Sequence, residues 1–223
     1  MLTRDILNSW AALNIRAVQQ NWPTIRIAIM RMTEAAFDRA FRDAIDFYSV
    51  ARSVAAIPGN APSLPIPGLN PEIVVKTLDS TGPGTLLHDI KLRNPVVGAM
   101  QHAGVNLSGA AARLALQGGR TGVIESVQAD PRALGWARIT ASHPCYFCAM
   151  LASRGAVYKT QQGAGFQAHN HCMCVASPVF RKEDVQSLVS GQLQADWRRV
   201  TKGYSGKEAI RVWRRYWDNR TGG

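Results

Sequence analysis

HPCYFCAMLASRGAVYKTQQGAGFQAHNHCMC, from His143 to Cys174, holds all four cysteines of the chain (Cys145, Cys148, Cys172, Cys174) and three of its five histidines (His143, His169, His171). So tight a grouping in a chain of 223 residues points to one shared role. Cys145-x-x-Cys148 is the short turn that lets two thiolates reach one tetrahedral ion. Cys172-x-Cys174 follows, and residues two apart on an extended chain face the same side, so both thiols can turn toward the first pair. A soft, four-thiolate set selects zinc over magnesium or calcium. The expected ligands are therefore Cys145, Cys148, Cys172 and Cys174. His169 is the reserve ligand, because His169-x-x-Cys172 repeats the knuckle spacing. The alternatives are disulfides or buried thiols without a metal.

Three catalytic readings of the same stretch are weaker than the structural one. Pro144-Cys145-x-x-Cys148 is half of the zinc deaminase signature, which also needs an upstream His-x-Glu; the upstream histidines read His88-Asp89-Ile90 and His102-Ala103-Gly104. His169-Asn170-His171 spells the name of the HNH nucleases, but in those enzymes the three residues are spread over a ββα unit. A cysteine protease needs one thiolate with a paired histidine and an orienting group, and four clustered thiols fit a structural metal better. The expectation is a closed structural site with no catalytic residue.

Outward from this window, the chain reads as mostly α with a small α+β zinc-knuckle module near the C-terminus. Residues 1–57 form a helical segment, with apolar Ile29, Met32, Phe37, Phe41, Ile45 and Tyr48 at helical spacing and a break at Trp22-Pro23. Five of the eleven prolines fall between Pro58 and Pro71, so 58–71 is an extended linker or a pinned loop. A helical region covers 72–134, with a turn at Thr81-Gly82-Pro83-Gly84 and a stop at Gly118-Gly119; Arg120–Asp130 reads equally as helix or strand. The module spans 135–180: a strand from Gly135, a short helix Ala149–Ser153, a stop at Arg154-Gly155, a second strand Ala156–Thr160 and a glycine-rich loop Gln161–Gln167. A basic helical segment, 181–223, closes the chain.

No apolar run reaches the ~20 residues that span a bilayer, and the N-terminus lacks a secretory h-region, so synthesis in the cytoplasm, where thiols stay reduced, is expected. Net charge is +11, which fits a phosphate-bearing partner or, more plainly, a solubility feature. In the C-terminal segment Arg198, Arg199, Lys202, Arg211, Arg214 and Arg215 interleave with Trp197, Tyr204, Trp213, Tyr216 and Trp217. Helical spacing puts Ile210, Trp213 and Trp217 on one apolar face, so the tryptophans are expected in a core and the arginines and lysines on phosphates, without reading sequence.

Taken whole, Cys145-Tyr-Phe-Cys148, Leu151-Ala-Ser-Arg-Gly155-Ala-Val-Tyr158 and Phe166-Gln-Ala-His169-Asn-His-Cys172-Met-Cys174 resemble the C-terminal signature of the phage Mu F-like minor head proteins, in the form found in phages of actinobacteria. The resemblance is close over 135–180 and general in the helical N-terminal region. His171 and Met173 depart from it, standing where proline or asparagine and arginine are usual. The resemblance implies a non-enzymatic minor capsid protein of the virion, made in the host cytoplasm and carried in the capsid interior. Its implied partners are the portal and major capsid proteins and packaged DNA, with no membrane and no small-molecule substrate, and its role is in head morphogenesis and DNA packaging or delivery. The alternative is a capsid maturation protease or a zinc-supported nuclease of the head.

Overall fold

The computed structural model describes residues 1–13, 18–158, 166, 168–181 and 190–221. They are mostly helical, with one small sheet. The chain divides into two compact units that alternate along the sequence: Met1–Asp43, Pro65–Gly119 and His169–Cys172 form the first, and Ala44–Leu64, Arg120–Ala168 and Met173–Gly223 the second.

The core of the first unit is built on two tryptophans. Trp10 in α1 (Leu2–Ala11) and Trp22 in α2 (Val18–Val54) meet edge to face, ring centroids 5.8 Å apart. Each buried indole finds an acceptor, as its polar N–H requires: Trp10 donates to the Met100 carbonyl at 2.8 Å and Trp22 to Asp79 at 2.7 Å, and Arg26 pairs with both oxygens of the same carboxylate. Ile6, Ile29, Val74, Leu78 and Leu107 fill the space around them.

The expected break at Trp22-Pro23 lies further upstream. α1 ends at Ala11, and α2 runs through Pro23. So near the helix start proline removes one backbone bond, to the Gln19 carbonyl, and the buried side chains of Val18 and Trp22 hold this turn in place.

α3 (Pro71–Asp79) opens with Asn70, whose side chain accepts from the N–H groups of Glu72 and Ile73, and with Pro71, which has no N–H to satisfy. Thr81-Gly82-Pro83-Gly84, expected as a turn, belongs instead to a π-helical stretch (Ser80–Gly84) that passes directly into α4 (Thr85–Lys91). A Cβ on Gly82 would sit 3.3 Å from both the Trp10 and Trp22 rings, so this glycine lets the stretch lie against the pair.

α5 (Val96–Ala129) corrects a second expectation. It does not stop at Gly118-Gly119 but continues to Ala129, so Arg120–Asp130 is almost wholly helix. A Cβ on Gly118 would overlap the Phe37 carbonyl of α2, and one on Gly104 would fall 2.8 Å from the Trp10 ring. These glycines are places of close approach, the other use of a residue without a side chain.

In the second unit, Tyr48 and Arg52 on α2 are buried and both bond to Asp130, at 2.9 and 2.8 Å. Burial raises the Asp130 carboxyl, but bonds from Arg52, the Arg132 backbone and Tyr48 outweigh it and leave its pKa below the ordinary range. The same burial, with the Asp130 bond second, pushes the Tyr48 phenol up. Arg52 also donates to the carbonyls of Ile57, Pro58 and Gly59. The proline-rich stretch, without helix or strand between Val54 and Pro71, is thus pinned where it begins.

The sheet has the order β2–β1–β3, antiparallel throughout. β1 (Gly135–Ile139) is central, with Gly135 opposite Tyr158 of β2 (Ala156–Tyr158) and Val179 of β3 (Val175–Val179). Pro178 lies in β3, at an edge, where a missing donor is tolerated. Lys159 and Thr160 of the expected second strand, and all of the glycine-rich loop except Phe166, lie outside the described residues, as do 182–189 of the C-terminal segment.

The Gly118 contact yields a test. Gly118→Ala is expected to cost about 1–3 kcal/mol in urea unfolding, the usual range for overpacking. Gly119→Ala, whose Cβ would lie 3.4 Å from the Ala40 carbonyl, should be near neutral or gain up to ~1 kcal/mol of helix propensity. Equal shifts in the two variants would rule out the close approach of α2 and α5.

Candidate metal centre

The first cysteine pair sits where β1 gives way to α6 (Tyr146–Ala152). Cys145 is the residue before the helix, extended at φ −66° and ψ 162°, and its sulfur accepts from the Cys148 N–H at 3.4 Å. The helix starts three residues earlier than the sequence suggests, so Cys148 lies in its first turn, buried, while Cys145 is exposed. Gly155, at φ +72°, ends the element as expected for the Arg154-Gly155 stop.

This turn is fastened by the C-terminal helices, α7 (Ser190–Val200) and α8 (Gly206–Thr221). Trp217 donates its indole N–H to the Pro144 carbonyl at 2.8 Å, and Trp213 donates to the Tyr146 carbonyl at 2.9 Å. The two bonds bracket Cys145. The rings stack on each other at 5.3 Å, and Trp197 of α7 leans on Trp213 at 5.3 Å. Ala149, Met150 and Ala152 of α6 pack against them with Leu193. The tryptophans are thus core residues, as their spacing suggests. Their bonds to the cysteine turn could not be read from sequence, because acceptor carbonyls leave no mark on residue type.

At the second pair, Cys172 and Cys174 are buried while Met173 between them is 59% exposed, the alternation of an extended chain. Cys172 donates its N–H to the His169 carbonyl at 3.1 Å, closing a small turn. His171 in that turn is left-handed, φ +63°, with its N–H directed to the Gly109 carbonyl; asparagine and histidine tolerate this conformation better than most residues. Asn170 accepts from Arg113 at 3.1 Å. The Cys174 carbonyl accepts from the buried Arg120 at 3.0 Å. Phe166 stacks on Trp136 and carries the guanidinium groups of Arg120 and Arg138 against its ring, at 4.8 and 3.7 Å.

Two overlapping groups could hold a metal ion: Cys145, Cys148 and His169, and Cys148, Cys172 and Cys174, with the ligand atoms of each within 4.8 Å of one another. Cys148 is common to both. Among the described residues no single group contains all four thiols. A tetrahedral site with Zn–S bonds of ~2.3 Å sets its sulfurs ~3.8 Å apart, which falls inside the 4.8 Å that encloses each group, and none of the four thiols is disulfide-bonded. The reserve histidine thus falls within the cluster, though on the side of the first pair.

The sequence-selected basic residues lie on α7, α8 and the bend between them. Arg198, Lys202, Arg211 and Arg215 are exposed. Arg199 is committed to Asp196 at 2.9 Å and to Tyr216, and Arg214 lies 3.5 Å from Asp218 and over the Tyr146 ring. Asp196, nearly buried between the helices, also receives Arg220 at 2.7 Å. Burial raises its carboxyl, but the bonds from Arg199 and Arg220 prevail and its pKa lies below the ordinary range. Asp196 was not singled out from sequence; it is one of five acids in segment 181–223, and nothing in residue type sets it apart.

The VG15 protein family matches residues 1–202, and the chain belongs to this viral family. No curated protein and no solved structure matches it. Among the described residues no helix is long and apolar enough to cross a membrane.

The geometry makes acid sensitivity predictable. A carboxyl whose folded pKa is depressed stabilises the fold above its unfolded value, ~3.9, and loses that contribution as pH falls through the folded value. The unfolding midpoint is therefore expected to drop between about pH 5 and pH 2, and Asp196→Asn should flatten that slope while lowering stability at neutral pH. Trp213→Ala should cost on the order of 3–5 kcal/mol; a loss below 1 kcal/mol in thermal or urea melts would contradict its place in the core.

Proposed function

We propose that the chain is a minor head protein of a tailed phage, of the Mu F-like kind, acting without catalysis in head morphogenesis and in packaging or delivery of DNA. Its place is the capsid interior near the portal, against portal and major capsid proteins. Membership of a viral family along residues 1–202 carries the reading. The cysteine window adds support, because its donor set suits a closed structural site. Zinc would be held by Cys145, Cys148, Cys172 and Cys174, or with His169 in place of one thiol. Four protein ligands leave no position for a substrate. What zinc supplies is folding free energy to a small module.

The exposed face of the C-terminal helices supports contact with DNA. Arg198, Lys202, Arg211, Arg214 and Arg215 present charge to solvent while Trp213 and Trp217 turn inward. Such a face meets phosphates without reading bases. Arg199, tied to Asp196, contributes through its residual field.

Elemental analysis of protein purified under reducing conditions should find about one zinc per chain. Cys148→Ser should lose the metal and lower the melting temperature. Metal-free protein with two disulfides by mass would end the zinc reading. Duplex DNA binding should weaken with salt at a slope of about −0.9 per phosphate contacted. Replacing Arg211, Arg214 and Arg215 by glutamine should flatten that slope by up to roughly three units. Salt-resistant binding or a strong preference for one sequence would count against a packaging role.

A further inference from the structure

Between α6, α7 and α8, on the side of the second unit lined by Arg154 and Arg198, lies an open cavity of about 570 Å³. Its lining carries two aromatic rings, Trp197 and Tyr204, and the apolar side chains of Met150 and Ile210. Among the described residues that line it none is acidic. Trp197 is half-buried by its contact with Trp213, so its orientation is fixed. Tyr204 is 50% exposed, yet its backbone is anchored: its N–H donates to the Thr201 carbonyl, and Gly203 beside it takes φ +85° to make the bend. An aromatic ring held half in water by an ordered bend is a surface for another planar group. The volume exceeds what a phosphate or a metal ion needs and lies in the range of small-ligand sites.

From this combination we propose that the cavity takes one nucleotide unit of a single strand, its base against Tyr204 and the edge of Trp197 and its phosphate between Arg154 and Arg198. The inference rests on the reading that this face of the protein meets DNA, and it adds a distinction that reading does not make. Base faces are hidden in a duplex, and every base has one when the strand is open, so a stacking cavity selects single strands without selecting sequence. Cationic side chains alone would favour the duplex, with its denser charge. A free nucleotide offers the same chemistry as a strand, so both are tested.

The experiment measures binding of the full chain to an oligothymidylate of about 10 nucleotides, to a duplex of equal length and to thymidine monophosphate, at one salt concentration. Variants are Tyr204→Ala, Tyr204→Phe and Arg154→Gln, each checked by circular dichroism and melting temperature. The single strand is expected to bind more tightly than the duplex. Tyr204→Ala should weaken single-strand binding at least roughly fivefold, the lower end of one lost stack, and leave the duplex within about twofold. Tyr204→Phe should keep wild-type affinity, and Arg154→Gln should weaken the single strand. Competition by the monophosphate that disappears in Tyr204→Ala supports the cavity with a free nucleotide as its ligand; loss of strand binding without such competition supports it with a strand. Single-strand binding unchanged in Tyr204→Ala and Arg154→Gln overturns the proposal. If salt-sensitive duplex binding persists in that case, only the cavity falls. If wild-type protein binds neither form, the DNA-contact reading falls with it.

Discussion

Two indole N–H groups, from Trp213 and Trp217, end on the carbonyls of Tyr146 and Pro144, and the cysteine turn and the core under α6 can both be traced from these bonds. A buried carbonyl left without a donor costs ~1–3 kcal/mol, while a made bond returns a net of only ~1 kcal/mol. The geometry is therefore enforced more by the penalty for error than by the gain. With both bonds in place, the residue between them, Cys145, has little freedom, and its sulfur stays where the Cys148 N–H can reach it. The rings that donate these bonds also form the core under α6. Position and packing thus come from the same two side chains, and a change in either tryptophan would disturb both.

The cysteine window was the most legible part of the sequence because thiols and imidazoles at knuckle spacing have few other uses. Their alternation, buried Cys172, exposed Met173, buried Cys174, followed from the two-residue period of an extended chain. The helical character of the chain and the inward tryptophans were legible for the same reason, a periodicity that survives in the letters. The errors share a cause as well. Gly118-Gly119 and Thr81-Gly82-Pro83-Gly84 carry the letters of stops and turns, yet both lie inside helical stretches. Glycine marks either freedom of φ or absence of a side chain, and only the neighbour, here Phe37 in one case and the tryptophan pair in the other, decides which is used. Pro23 misled in the same way. Its place in α2 depends on burial of Val18 and Trp22, which no local rule contains. Arg52 was invisible because its buried partner, Asp130, is distant in sequence.

The basic C-terminal helices raise an electrostatic problem of their own. Many like charges on two adjacent helices repel, and a net +11 chain gains nothing from adding more without a use for them. Asp196 partly answers this. It binds Arg199 of its own helix and Arg220 of the next, so one carboxylate ties α7 to α8 and neutralises charge where the helices come together. The charge left over faces outward, on Arg198, Lys202, Arg211 and Arg215. With Asp196 placed between the helices, these exposed cations keep an outward field for a polyanion, reduced where Asp218 meets Arg214.

A three-stranded sheet with strands as short as Ala156–Tyr158 and a helix of two turns cannot bury enough apolar surface to hold a fixed shape alone. That shortage is met in two ways. Leu193, Trp197, Trp213, Tyr216 and Trp217 of α7 and α8 pack against α6, and the thiols supply ligands for a metal. Cys148 belongs to both solutions: its backbone N–H completes the turn that the indoles fix, and its sulfur is shared by both ligand groups. A metal entering this cluster would find both pairs already held by protein contacts, the first through the indole bonds and the second through Arg113 on Asn170 and Arg120 on the Cys174 carbonyl.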